Sequence, residues 1–229
     1  MLTDINYLLV GNSRLHWAEY TQKQYKFFHT TKDYKVPNNF NFQKLIWASV
    51  GKEPDFLLKK ENEIKTKDIK LSNLPNNFGL DRALACLAAL TTIKNPLKKN
   101  LLIADFGTIL SVTKLTSNGS IIGGQMCPGF KTQLQSVELN AKNLKAPQKI
   151  EIPVENFLIN TDDAILKGVI NALTGVINSS FNPLEDILIL CGGDSNLITR
   201  ILKTENNNII NAPNLVLEGM VIHHQSLKS

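Results

Sequence analysis

Cysteine is scarce in this chain, and what there is cannot form a framework. Cys86, Cys127 and Cys191 are far apart and odd in number, with no Cys-x-x-Cys pair. A disulfide scaffold and a thiolate metal site are thereby excluded. Aromatic residues are only 7% of the 229, and Arg and Lys are not gathered with them on one stripe, so a nucleic-acid groove is not expected. No apolar run approaches the roughly twenty residues that span a bilayer, and the N-terminus lacks the basic and apolar regions of a signal peptide. These absences predict a reduced, cytoplasmic protein that binds neither membrane nor nucleic acid. One mixed-sign run, Lys59–Lys70, contains Glu61, Glu63 and Asp68 and reads as a solvated face. What remains is a net charge of +5 and 43% apolar residues, the composition of an ordinary globular chain with a modest preference for small anions.

Two segments resemble each other. Tyr7–Tyr20 and Leu101–Leu115 each open with an apolar run, turn at a glycine (Gly11 or Gly107) followed by small polar residues, and continue with strand-like alternation. Period-two patterning on both sides of a glycine turn predicts a β-hairpin. A further strand is expected at Ser120–Gln125, after the Ser117-Asn118-Gly119 turn. The two glycine turns are about a hundred residues apart, a period that suggests duplication of a whole domain. The boundary is expected within Thr92–Asn100, dividing the chain into residues 1–98 and 99–229. Leu45–Val50 reads as a buried strand, Leu80–Thr92 as a buried Ala-rich helix, Asp162–Val176 as a helix and Ile187–Cys191 as a strand ending at Gly192-Gly193. Strands mixed with helices in both halves make an α/β chain.

Several short patterns carry chemical possibilities, each beside a plainer one. The turn Gly11-Asn12-Ser13 exposes backbone N–H groups and a hydroxyl, which suits a phosphate chain but equally suits a hairpin. Asp105-Phe106-Gly107-Thr108 puts a carboxylate at the end of a buried strand, where a cation or turn amides could satisfy it. The Asp-Phe-Gly triplet is not that of a protein kinase, because neither a His-Arg-Asp loop nor a Val-Ala-Ile-Lys strand is present. In Gly79-Leu80-Asp81-Arg82, Asp81 is either a helix cap or a general base with Arg82 beside it to hold an anion. Gly123-Gly124-Gln125-Met126-Cys127-Pro128-Gly129 marks either backbone approach to a ligand or a strand end. Cys191-Gly192-Gly193-Asp194 is a nucleotide-type turn or a strand-to-helix turn. His223-His224 has no partner cluster and is not expected to hold a metal.

The order of these patterns resembles that of the type III pantothenate kinase family. Gly-Asn-Ser, Gly-x-Asp-Arg, Asp-Phe-Gly-Thr and Gly-Gly-x-x-x-Pro-Gly follow one another as they do there. Asn160-Thr161-x-x-Ala164-x-x-x-Gly168, Gly192-Gly193, Leu215-x-Leu217-Glu218-Gly219 and Pro75-x-x-Phe78-Gly79 extend the match over nearly the whole chain. The resemblance implies two related actin-like (ribonuclease H-like) domains with an interdomain nucleotide cleft. It implies transfer of the ATP γ-phosphoryl group to pantothenate, the first step toward coenzyme A, by a homodimer using Mg2+ and a monovalent cation (K+ or NH4+).

By the same resemblance Asp81 is the general base, and Gly79, Leu80 and Arg82 bind pantothenate. Thr161 reaches the substrate of the partner subunit. Gly11, Asn12, Ser13, Gly107, Thr108, Gly192 and Gly193 contact ATP and its phosphates, and Asp105 serves the metal. One position departs from the family pattern: Leu9 stands where the first loop usually carries Asp, two residues before the glycine as Asp105 is before Gly107. An apolar side chain cannot hold magnesium or its waters, although magnesium often binds through one or two carboxylates plus phosphate. The alternatives are therefore a weakened or inactive relative acting as a ligand-binding regulator, or another actin-like enzyme such as a sugar kinase or polyphosphate phosphatase.

Overall fold

A computed structural model of the chain describes residues 5–57, 61–202 and 208–228. Lys59 and Lys60, which open the mixed-sign run, lie outside the described residues. The chain forms two compact units, Met1–Lys94 with Asn118–Ile121 and Asn214–Ser229, and Asn95–Ser117 with Ile122–Pro213. The chain leaves the first unit after Lys94 and returns to it at Asn118–Ile121 and Asn214–Ser229.

The first unit is built on a four-stranded sheet of order β3-β2-β1-β4. Its strands are β1 (Asn6–Val10), β2 (Leu15–Thr21), β3 (Gln24–Thr30) and β4 (Leu45–Ser49). β1 pairs antiparallel with β2 and parallel with β4. Alternation sends Leu8, Val10, Leu15, Trp17, Leu45 and Trp47 into one cluster. Tyr7 and Leu9 are buried as well, on the other face by the same alternation. On that second face the Tyr7 hydroxyl meets Nδ1 of His224 at 2.8 Å. His224 belongs to α5 (Leu215–Ser226), which packs on α1 (Leu80–Thr92). α1 has the bounds that the sequence predicts, and its Ala83, Ala85, Ala88 and Ala89 are almost wholly buried. Small residues let the two helix backbones approach closely, and the closest approach is at Gly219. A Cβ there would fall on the carbonyl oxygen of Leu84.

The second unit has five strands in the order β7-β6-β5-β8-β9. They are β5 (Asn100–Phe106), β6 (Ile109–Leu115), β7 (Ile121–Pro128), β8 (Asp186–Cys191) and β9 (Ile209–Asn211). β5 is antiparallel to β6 and parallel to β8, as β1 is to β2 and β4. The expected duplication is therefore visible in topology: each unit has a glycine-turn hairpin whose first strand also pairs with a parallel neighbour. Its helices are α2 (Phe130–Asn140), α3 (Thr161–Ser180) and α4 (Ser195–Leu202). α3 extends past the expected Asp162–Val176 at both ends and is capped by Asn160, whose side chain accepts from the Asp163 N–H at 3.1 Å. Leu166, Ile170, Leu173 and Ile177 on α3 join Leu102, Ala104, Leu188 and Leu190 in the core.

One buried charge lies at the start of β8. Asp186 is fully buried and paired with Lys114 at 2.8 Å, and it also accepts from the Asn182 N–H and Asn100 Nδ2. It lies at the opposite end of that strand from Cys191 and Gly192, where the sequence places candidate site residues.

The α1–α5 contact leaves no room for a side chain at Gly219. Gly219→Ala is expected to cost about 1–3 kcal/mol in urea unfolding, the usual penalty for overpacking. Gly175→Ala in α3 meets nothing within 4 Å and is expected to gain up to about 1 kcal/mol.

Candidate active site

In each unit the parallel strand pair ends at bare backbone. After β1 the chain turns at Gly11, whose N–H donates to the Arg14 carbonyl at 3.0 Å. The segment after β4 crosses that turn so tightly that a Cβ on Gly51 would meet the Gly11 carbonyl. The Val50 N–H donates to the Val10 carbonyl at 2.9 Å, holding the crossing in place. Asn12, Ser13 and Arg14 are exposed above it. The turn therefore offers backbone and small polar groups to solvent while its own path is fixed.

The second unit repeats the device with a carboxylate. Asp105, half-buried next to the end of β5, lies opposite Cys191 on β8. A Cβ on Gly192 would strike the Asp105 carboxylate and the Phe106 backbone, and Gly192 has a positive φ of 84°. Glycine is required there on both counts. Gly192 thus lies bare against Asp105, while a Cβ on Gly193 would meet nothing within 4 Å. On the other side, the Gly129 N–H and Thr132 hydroxyl donate to the Thr108 carbonyl at 2.9 and 2.7 Å. That pins the Gly107–Thr108 turn to the start of α2, and Gly129 passes so near Gly107 that no Cβ would fit.

At the start of α1, the N-cap position is occupied by Gly79 rather than Asp81. Asp81 lies in the first helical turn, and its Oδ1 accepts from the Arg82 N–H at 2.8 Å. A Cβ on Gly79 would be 2.8 Å from that same oxygen, so the bare residue leaves the carboxylate its place. The Arg82 guanidinium lies 4.2 Å from the centre of the Phe78 ring, a cation–π contact that orients it. Leu80 is buried beneath, anchoring the helix start. Thr161, the exposed first residue of α3, begins the second unit's longest helix.

Three features escape a reading of the sequence alone. Gly51 matters only through what it crosses. Ser195, following the Gly192-Gly193 turn, is fully buried with a hydroxyl that meets no partner among the described residues. A histidine pair, His16 and His29, sits next to the first turn with Nδ1 atoms 2.9 Å apart. Burial holds the His16 imidazole well below its usual range, to about 4, with the positive groups His29, Arg14 and Lys32 adding to the effect. His29 is lowered too, chiefly by burial. By contrast His223-His224 serves packing: His223 is buried, and His224 bonds Tyr7. Among the described residues no group of three or more His, Cys, Asp or Glu could hold a metal ion, and no helix is long and apolar enough to cross a membrane.

The family model for type III pantothenate kinase matches residues 36–182. The chain belongs to the type III pantothenate kinase family. It is accordingly a kinase, an enzyme of a family that uses ATP. A type III pantothenate kinase of Synechocystis is 30% identical over 95% of this chain and 89% of its own length. Among solved structures, a candidate Baf family transcriptional activator of Campylobacter jejuni superposes with a TM-score of 0.69 at 18% identity, covering 98% of this chain and 99% of its own. An activator of 2-hydroxyisocaproyl-CoA dehydratase from Clostridium difficile, solved with ADPNP, superposes at 0.53 and 10% identity over 99% of this chain and 97% of its own. The fold is the actin-like one, α/β with two sheets.

Because residue 79 has φ −61° and ψ 134°, a backbone open to any residue, Gly79→Ala presses on Asp81 and not on the chain path. Its melting temperature is expected to stay within a few degrees of wild type while kinase turnover, read as ADP release, falls by about 10- to 100-fold.

Proposed function

We propose that this chain phosphorylates pantothenate with ATP, with Asp81 as the general base. The observation that carries the reading is the Gly79–Asp81 arrangement in a chain of this family: a carboxylate in the first turn of a helix, given space by a glycine and followed by an oriented arginine. A carboxylate so placed can accept the proton of an attacking hydroxyl. Arg82 supplies a fixed positive charge for the substrate's carboxylate, and Gly79 and Leu80 form the surface beside it.

The phosphates of ATP are assigned to the two glycine turns, with Gly11, Asn12 and Ser13 in one unit and Gly107, Thr108, Gly192 and Gly193 in the other. Backbone N–H groups and hydroxyls in such turns bind phosphate oxygens without a side chain in the way. Asp105 is the residue for Mg2+. Its half-buried carboxylate beside a bare-backbone turn fits a magnesium ion held by one protein carboxylate and substrate oxygens, and not an all-protein cage. Bound there, the ion would neutralise charge on the phosphate oxygens. The remaining work is positioning, as phosphoryl transfer requires: Asp81 takes the proton, Arg82 orients the acceptor, and the turns hold the donor. A monovalent cation, K+ or NH4+, is part of the same proposal.

A homodimer is supported by an exposed apolar stretch leading into Thr161. Val154 and Phe157 are 89% and 95% exposed, and Ile159 is fully so. A second copy of the chain would cover them and bring Thr161 to its partner's substrate.

Coupled ADP release with pantothenate, Mg2+ and either Na+ or K+ tests the activity. Asp81→Asn is expected to fold normally and to lose turnover by about 100-fold or more; near-normal turnover would remove Asp81 from the role. The double substitution Phe157→Asp and Ile159→Asp is expected to halve the mass seen by sedimentation and to lower turnover with it. An unchanged mass would remove this stretch from the interface.

A further inference from the structure

The duplicated hairpins differ at one row of residues. In the second unit Asp105 faces Ser111 across β5 and β6. At the matching place in the first unit Leu9 faces His16 across β1 and β2, and His16 faces His29 on β3. Directly opposed residues of neighbouring strands share a sheet face, so Leu9, His16 and His29 form one row beside the Gly11 turn. Where one unit offers a carboxylate, the other offers an apolar side chain and two imidazoles.

The imidazoles are arranged toward the turn. A Cβ on Gly11 would lie 2.9 Å from Nε2 of His16, so the glycine gives the ring its place and Nε2 borders the turn. The opposite ring nitrogen, Nδ1, is 2.9 Å from Nδ1 of His29. Only one proton fits between those two atoms. When His29 supplies it, His16 must carry its own proton on Nε2 and becomes a donor at the turn. The surrounding charge is positive. Arg14 belongs to the turn, and Lys32 donates to the Lys52 carbonyl at 3.0 Å, one residue from the Gly51 crossing. Both act on His16, as does His29. Such a field disfavours a second proton on either ring and a bare metal cation between them, and favours an anion.

We propose that the His16–His29 pair completes an anion site at the Gly11 turn, in which His16 donates from Nε2 to a phosphate oxygen of the nucleotide and His29 fixes that tautomer. This deepens the nucleotide reading above and rests on it. In place of a carboxylate that grips phosphate through a metal, the first unit contacts phosphate directly. Its share of nucleotide binding therefore persists without a divalent ion.

The test is a titration of the full chain, with 15N-labelled histidine, by ATP in EDTA near pH 7.5. The His16 signals are expected to be those of a neutral ring protonated at Nε2, and that N–H is expected to shift on ATP addition. Removing a hydrogen bond to a charged partner should weaken ATP about tenfold in His16→Ala, and His16→Gln, which can donate from a nearby position, should recover most of the loss. Wild-type protein that binds no ATP, with or without Mg2+, would remove the nucleotide reading and this proposal with it. ATP binding that leaves the His16 signals unmoved, or that is as tight in His16→Ala as in wild type, would overturn this proposal alone. Zinc taken up by the two Nδ1 atoms while ATP leaves them unchanged would overturn it in favour of a metal site.

Discussion

Backbone must pass against backbone at the ends of the parallel strands, and the rest of the site depends on that constraint. Gly51 on Gly11, Gly129 on Gly107, and Gly192 on Asp105 and Phe106 are contacts in which even a methyl group would collide. Each brings a second segment onto a turn without a side chain between them. The turn is then fixed by main-chain packing and hydrogen bonds, and its path is set before any ligand is met. A turn fixed in this way would pay little ordering entropy on binding.

The duplication explains both what the halves share and where they diverge. Strand order near the hairpin is the same in each unit, so position two before the glycine is structurally equivalent in both. It is Asp105 in one and Leu9 in the other, and Leu9 is 6% exposed, sealed into the sheet face that carries Tyr7. A carboxylate there would face burial beside apolar groups, with His16 opposite. The difference is therefore chemical at an equivalent place: one turn has a carboxylate beside it, the other an apolar side chain and a histidine.

Much of this was legible in the sequence, for physical reasons that differ by element. α1 announces itself because a buried Ala-rich helix between polar loops has few other readings, and both hairpins follow from alternation around glycine. α5 does not, since Leu215, Val216, Leu217, Gly219, Met220, Val221 and His223 are buried on all sides and leave no polar face to set a period. β3 is an edge strand whose polar residues hide its alternation. The family motifs located the candidate residues, but the importance of Gly51 and the His16–His29 row arises only from register, which no local pattern encodes. Asp81 illustrates the limit in one residue: its helix was plain, yet that Gly79 takes the cap and frees the carboxylate depends on a backbone path.

The return of the chain to the first unit has a consequence for how the molecule is made. α1 carries Asp81 and Arg82 and is walled on one side by α5. On the ribosome, α1 is synthesised more than a hundred residues ahead of that wall, so the apolar flank of α1 waits uncovered while the whole second unit is translated. The second unit, whose strands and helices all precede residue 214, can close first. Translation order and maturation order are therefore inverted: the unit that starts first is completed after the second, and α1 reaches its final packing only once α5 has been made.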